Sequence, residues 1–123
     1  MIGSTRTLRV WAYPAPADLR KGFDGLSALV VAQLAKDPLS GDCFLFTNRA
    51  RTSAKVLVWD GTGLCVYHKR LEQGRFSALW EVGAGGAARL TLSELALFLE
   101  GAALRARLPL SPPAYEVRPR DSL

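Results

Sequence analysis

The apolar positions of this chain fall into short runs separated by turn signals, and three of these runs lie close together in the middle of the sequence. They are CFLFT at residues 43–47, KVLVWD at residues 55–60 and LCVYHKR at residues 64–70. Short runs rich in β-branched and aromatic residues, bounded by glycine and polar residues, are typical of strands. We therefore predict a meander of three antiparallel strands.

The second and third strands are joined by DGTG at residues 60–63, which has the chemistry of a two-residue hairpin turn. Gly61 can take the positive φ that a type II′ turn requires at its first central position. The resulting register places Lys55 opposite His68. Because side chains alternate along a strand, one face carries Leu57, Trp59, Leu64 and Val66, and the other carries Val56, Val58, Cys65 and Tyr67. Both faces are apolar near the turn, so we expect the hairpin to be covered on both sides or to use one face for oligomerisation.

The segment before the meander predicts a strand followed by a helix. Residues 8–13 (LRVWAY) favour a strand, which two prolines then end. Apolar residues next recur at spacings of three and four, the pattern of one buried helix face; they are Phe23, Leu26, Val30 and Leu34. We place the start of this helix near Asp18 or one turn later, with Asp18 or Asp24 as its N-cap.

The segment after the meander predicts one more strand and a second helix. Residues 75–82 (RFSALWEV) favour a strand, and residues 91–94 (TLSE) form a capping-box pattern at a helix start. We expect this helix to end at Gly101. Its expected buried residues are Leu92, Leu95, Ala96 and Leu99, and Leu97 and Phe98 widen the apolar face.

Together these elements predict a small α+β domain, an antiparallel sheet centred on the hairpin and packed against two helices. We assign this single domain to residues 1–107, and a proline-rich extended tail to residues 108–123. A chain of 123 residues that is 49% hydrophobic can bury such a core without disulfides or a structural metal. The pattern shows no spanning segment and no signal peptide, so we expect a cytoplasmic protein with no membrane association.

The charge of the chain is concentrated in the meander. The net charge is +5 and the pI is about 9.7, which favours polyanionic partners. Six of the 16 Lys and Arg residues lie between residues 43 and 76, against two acidic residues. They define a predicted basic surface at the open end of the hairpin, made of Arg49, Arg51, Lys55, Lys69, Arg70 and Arg75. Arg20 and Lys21 are candidates to extend it. The alternative is a solvated hairpin end with charges that protect the sheet edge.

The sequence predicts no catalytic residues, no metal site and no cofactor. His68 is the only histidine, and two cysteines, Cys43 and Cys65, are neither a disulfide framework nor a zinc pair; we expect both to be buried. The acidic residues are spread over turns and caps, where carboxylates have structural roles. Aromatic residues of the meander would stack on bases if exposed, but core packing is the preferred interpretation; they are Phe44, Phe46, Trp59 and Tyr67.

Five segments of the chain carry a family resemblance; they are DLRKGFDGLSALV at residues 18–30, DPLSGDCFLFTNRAR at 37–51, KVLVWDGTGL at 55–64, KRLEQGRF at 69–76 and LTLSELALFLEG at 90–101. In this order they resemble the TnpB-type accessory protein encoded by the second open reading frame of insertion-sequence-66 elements. Two features depart from that family: the loop at residues 48–54 is less basic, and residues 77–79 precede Trp80 where Trp-Pro commonly follows the phenylalanine.

The resemblance implies an accessory role in transposition beside a separate, larger transposase, and it supplies no catalytic residues. The expected partners are DNA, the transposase and the other accessory protein of the element, and a self-associated form is left open. The leading hypothesis is a non-enzymatic protein that contacts DNA through the basic hairpin surface. The alternative is an adaptor for the transposase that never touches DNA. A small nuclease would need converging carboxylates, which the spacing does not support.

Overall fold

The protein folds around a five-stranded sheet that carries one α-helix on each face. A computed structural model describes residues 8–81 and 86–101 of the chain. Within these residues the elements are β1 (Val10–Ala12), α1 (Phe23–Leu34), β2 (Cys43–Thr47), β3 (Ser53–Trp59), β4 (Leu64–Arg70), a 3₁₀-helix (Leu79–Glu81), β5 (Ala88–Leu90) and α2 (Leu92–Leu99). The predicted α+β class is confirmed.

The strand order of the sheet is β4-β3-β2-β1-β5. Strands β2, β3 and β4 form the predicted antiparallel meander, and β5 pairs antiparallel with β1. In contrast, β1 and β2 are parallel. Parallel neighbours need a crossover connection, and α1 supplies it here. The parallel pair and β5 were not predicted, because strands of three residues leave little pattern in a sequence.

The hairpin register is confirmed residue by residue. Trp59 lies opposite Leu64 and Lys55 lies opposite His68. Gly61 has the predicted positive φ, at 106°. The Asp60 carboxylate accepts hydrogen bonds from the backbone N–H groups of Thr62 at 2.9 Å and Gly63 at 3.0 Å, which hold the turn closed.

The two faces of the sheet belong to two apolar cores. On the face that α1 covers, here called the α1 face, Leu26 and Val30 pack on Phe44, Phe46 and Leu57. The opposite α2 face has its own cluster, which includes Leu45, Val56, Phe76, Leu79 and Phe98. The rings of Phe76 and Phe98 stack with centroids 4.9 Å apart. Full burial of one such side chain stabilises a fold by about 1.5–3 kcal/mol, so Phe98 is the main anchor of α2.

The first helix begins later than its earliest predicted start and without the predicted cap. Its N-cap is Gly22, and no side chain caps it, so the assignment of Asp18 or Asp24 as the cap is wrong. The Asp18 carboxylate is occupied by Arg20 instead. Phe23, the first residue of the helix, is 50% exposed rather than buried and lies outside the apolar cluster of the α1 face.

The second helix has the predicted capping box, and its buried face is centred on Phe98 and not on the predicted line of Leu92, Leu95, Ala96 and Leu99. The Thr91 side chain accepts from the Glu94 N–H, and the Glu94 side chain accepts from the Thr91 N–H. Phe98 is the buried residue, with Leu95 and Leu99 packed beside it. Leu92 and Ala96 are exposed, which contradicts the prediction, because the helix presents its Phe98 side to the sheet.

The predicted strand at residues 75–82 is also wrong in the part that is described. Phe76 and Leu79 insert into the α2-face core from an irregular segment and a 3₁₀ turn, where no neighbouring strand is paired. The predicted end of the second helix is confirmed, since Gly101 follows its C-cap with a φ of 91°. Residues 102–123, which include the predicted domain boundary and tail, lie outside the described residues.

We expect Ala35→Gly to stabilise the protein. Ala35 ends α1 in the left-handed conformation, with φ 55° and ψ 41°, and its N–H and that of Lys36 both bond the Val30 carbonyl. Glycine adopts this conformation without the penalty of a Cβ, so the free energy of unfolding should rise by about 0.5–1 kcal/mol. Urea denaturation measures it. Ala32→Gly, at an exposed position inside α1, is the control and should lower the same quantity by about 1 kcal/mol.

The hairpin turn should make stability depend on pH through Asp60. Backbone N–H donors lower the pKa of Asp60 from 3.8 to about 2. A carboxyl whose folded pKa is depressed stabilises the fold above its unfolded pKa and loses that contribution as pH falls through the folded pKa. Asp60→Asn should therefore be less stable than the wild type at pH 7, and the gap should close between pH 4 and pH 2. Thermal denaturation across this range measures the gap, and a constant gap would contradict the prediction.

Candidate nucleic-acid interface

The predicted basic residues lie at one end of the sheet but on two different faces. The register pairs Ser53 with Arg70 and Lys55 with His68, so the α1 face carries Lys55, His68 and Arg70. Lys69 points the other way, since its partner Ala54 belongs to the α2-face core. The sequence placed these residues together correctly along the strands, but alternation divides them across the sheet.

Four of the eight predicted residues are held by other parts of the fold. Lys69 Nζ donates to the Leu99 carbonyl at the end of α2, at 2.7 Å. Lys55 Nζ donates to the Lys21 carbonyl at 2.9 Å, and Arg51 Nη1 donates to the Phe76 carbonyl at 3.4 Å. Arg20 is paired with Asp18. Each of these contacts ties together separate segments or fixes a turn, which gives these four side chains a structural role.

The other four cations remain free. Lys21, Arg49, Arg70 and Arg75 are exposed, and their side chains make no hydrogen bond or ion pair to the described part of the chain. Arg70 lies on the α1 face, and the Lys55–Lys21 contact brings Lys21 over the same face. Arg49 sits in the turn between β2 and β3. These side chains can engage an external anion without breaking an existing contact.

The turn that carries Arg49 is rigidly built. The Asn48 Oδ1 accepts from the backbone N–H groups of Thr52 at 2.9 Å and Ser53 at 3.1 Å. Arg51 closes the turn in the left-handed conformation at φ 62°, and its N–H donates to the Asn48 carbonyl at 3.1 Å. A residue with positive φ after a tight turn is a common way to rejoin two antiparallel strands.

An open groove lies at this end of the α1 face. Residues 17–20 cross the end of the sheet, held by a 2.8 Å bond from the Ala17 N–H to the Thr47 carbonyl at the end of β2. Between this segment and the side chains of Asn48, Ser53 and His68 is a space of about 400 Å³, which we call the sheet-end groove. Arg70 adjoins it as the cross-strand partner of Ser53.

The Asp18–Arg20 pair forms one wall of the groove. Asp18 accepts from the Arg20 backbone N–H at 3.0 Å, from Nε at 2.9 Å and from Nη2 at 2.8 Å. The Arg20 side-chain and backbone donors hold the pKa of Asp18 well below its ordinary range, and the carboxylate raises the pKa of Arg20. The pair therefore stays charged at any physiological pH. The Arg20 side chain is nevertheless 91% exposed, so the planar guanidinium is fixed at its edge and open on its faces.

The exposure of the meander aromatics and of the two cysteines tests whether they pack in the core as predicted. Phe44 and Phe46 are buried, which confirms core packing, and Trp59 is half-buried. The prediction is wrong for Tyr67, which is 54% exposed on the α2 face because it lies on the edge strand β4. Cys43 is buried, and burial raises the pKa of its thiol. Cys65 is exposed, which contradicts the prediction, because β4 is the edge strand of the sheet and its outer positions are left open on the α2 face.

Of the polar residues that line the groove, sequence reasoning selected Arg20 as a site residue but not His68, Asn48 or Ser53. His68, Asn48 and Ser53 have no motif, and only the predicted Lys55–His68 register indicated which face His68 shares. The path of residues 17–20 over the sheet follows from the parallel pairing of β1 with β2, which no local pattern revealed.

The fold and the site define a class: a small α+β protein with a cationic sheet end. Its described residues contain no group of three or more His, Cys, Asp or Glu side chains placed to hold a metal ion. Nor does any helix within residues 8–81 and 86–101 have the length and apolarity needed to cross a membrane.

The chain belongs to the family described as IS66 Orf2 like protein, whose family model matches residues 8–108. The resemblance seen in the sequence is thus confirmed, and membership is consistent with an accessory role in transposition.

Two curated relatives come from Sinorhizobium fredii (strain NBRC 101917 / NGR234). The uncharacterized protein y4hO is 37% identical over 101 residues, which cover 82% of this chain and 86% of the relative. The uncharacterized protein y4jC is 36% identical over 101 residues, covering 82% of this chain and 85% of the relative. No solved structure matches the chain.

Because some cations are held by the fold and others are free, replacing neighbouring cations should lower the free energy of unfolding by different amounts. Lys69→Met removes a partly buried, charge-assisted hydrogen bond to the end of α2 and should lower the free energy of unfolding by about 1 kcal/mol. Arg70→Met changes an exposed, free cation on the same strand and should stay within about 0.5 kcal/mol of the wild type. Urea denaturation measures the free energy of unfolding of both variants, and an equal loss in the two would show that Lys69 has no structural role.

Proposed function

We propose that this protein is a non-enzymatic accessory of insertion-sequence transposition that contacts DNA with its basic sheet end and assists a separate transposase. The observation that carries the DNA contact is the set of free cations at one end of the fold. Lys21 and Arg70 flank the α1 face, and Arg49 lies in the adjoining turn. Family membership supports the transposition setting.

The cations of this end differ from those at the start of β1 and β2. There, Arg9 lies 3.6 Å from the Asp42 carboxylate, and Lys36 Nζ lies 3.7 Å from the centroid of the Trp11 ring. Those charges are already engaged by the fold. Phosphate binding depends on Lys and Arg side chains that replace the counterions of the nucleic acid, so the free cations are the better candidates.

The adaptor function is the second candidate, and exposed apolar side chains support it. Large apolar residues are about half exposed on both helices and on β4; they are Phe23, Val31, Tyr67, Leu92 and Leu97. Covering exposed apolar side chains with a protein partner stabilises the complex, because their apolar surface is removed from water. The transposase is the natural partner in this setting, and the two functions are compatible.

Removal of the free cations should weaken DNA binding and its dependence on salt. We expect the double variant Lys21→Ala, Arg70→Ala to bind a duplex oligonucleotide more weakly in fluorescence anisotropy. Each lost phosphate contact should reduce the slope of log K against log salt by roughly 0.9. The matched control is Arg9→Ala, Lys36→Ala, which removes the same charge from the opposite end and should leave the slope unchanged. Circular dichroism checks that both variants are folded.

Equal losses in the two double variants would show that net charge, and not this surface, attracts DNA. If wild-type protein binds no DNA either alone or with the transposase, but co-purifies with the transposase, the adaptor function replaces the DNA-contact proposal.

A further inference from the structure

The sheet-end groove presents two flat, open π surfaces to a ligand. The Arg20 guanidinium is held in a fixed plane by its two side-chain bonds to Asp18. His68 is exposed on the groove floor and makes no hydrogen bond to the described part of the chain. Unpaired nucleobases stack on imidazole rings and on guanidinium planes. Because Asp18 compensates the charge of Arg20, stacking is better suited to this guanidinium than phosphate binding.

The groove also offers polar groups at its base. The Ser53 hydroxyl makes no hydrogen bond to the described residues, and one of the two Asn48 amide hydrogens is directed to Thr52 Oγ1 at 3.2 Å, which leaves the second for a ligand. Hydroxyl and amide groups match the mixed donors and acceptors on the edge of a base. Arg70 adjoins this site as the cross-strand partner of Ser53, and the Lys21 backbone is bonded to Lys55 on the same face; neither side chain has a hydrogen bond or ion pair to the described residues, so both charges are available to neighbouring phosphates.

The size of the groove suits a single base. A volume of about 400 Å³ lies at the lower end of the range for small-ligand sites, and the groove is open to solvent. An unpaired base exposes both of its faces and its hydrogen-bonding edge, so it can reach the groove without the opening of a duplex. We propose that the sheet-end groove binds an unpaired base of single-stranded nucleic acid between Arg20 and His68, while Lys21 and Arg70 contact the adjoining phosphates. This inference rests on the nucleic-acid contact of the proposed function.

The test compares three probes of equal length with the full-length protein: a single-stranded thymidine tract, a backbone of the same length made entirely of abasic sites, and a duplex. The single strand should bind at least about 5-fold more tightly than the abasic backbone, since the stacking of one base on a protein ring raises affinity by about this factor or more. It should also bind more tightly than the duplex, although the duplex has the higher charge density.

Variants of the groove separate stacking from charge. His68→Ala and Arg20→Ala should each lower affinity for the thymidine tract about 5-fold or more, and His68→Ala should leave affinity for the abasic backbone unchanged. His68→Phe keeps a flat ring and should keep the preference for bases. Tyr67→Ala is the matched control, because Tyr67 is the exposed aromatic residue next to His68 on the other face, and it should have no effect.

Equal binding of the thymidine tract and the abasic backbone, or no effect of His68→Ala, would overturn the base site. If duplex binding with a steep salt dependence remains in that case, the proposed DNA contact stands without it. If none of the three probes binds, the proposed DNA contact fails and the base site fails with it.

Discussion

The burial of β2 on both faces is the constraint from which the rest of the structure follows. All five of its residues are buried, and Phe44, Leu45 and Phe46 are completely inaccessible. A strand with apolar side chains on both sides is stable only when each face is covered. The α1 crossover covers one side, and Phe76 and α2 cover the other. The two helices and the Phe76 segment therefore lie where they enclose this strand.

The same strand links the core to the cationic surface. After β1 the chain remains beside β2, through bonds from the Tyr13 N–H to the Leu45 carbonyl and from the Ala17 N–H to the Thr47 carbonyl, both 2.8 Å long. These bonds carry residues 17–20 over the end of the sheet, where they face His68. The groove is thus a by-product of the parallel pairing of β1 with β2.

Local chemistry made part of this fold predictable. The positive φ of Gly61 fixed the β3–β4 register, and the Thr91–Glu94 capping box fixed the start of α2, because each signal involves residues close in sequence. The parallel partner of β1 and the pairing of β5 depend on long-range contacts between short strands, which leave no local signal. The site was predictable as a charge cluster at one sheet end. The sequence did not reveal which of these cations are free, because the carbonyls that hold the others are distant in sequence, as the Leu99 carbonyl is from Lys69.

The bond between Arg51 and Phe76 has a mechanical consequence for the turn that presents Arg49. The Phe76 N–H donates to the Arg51 carbonyl at 2.7 Å, and the Phe76 ring stacks on Phe98 in the α2-face core. Any displacement of the turn must therefore pull on a buried ring, so the turn is a stiff support and not an adaptable loop. A stiff turn gives up little conformational entropy when a partner binds. The conformational entropy lost in ordering the β2–β3 turn is therefore lost during folding, before any partner binds.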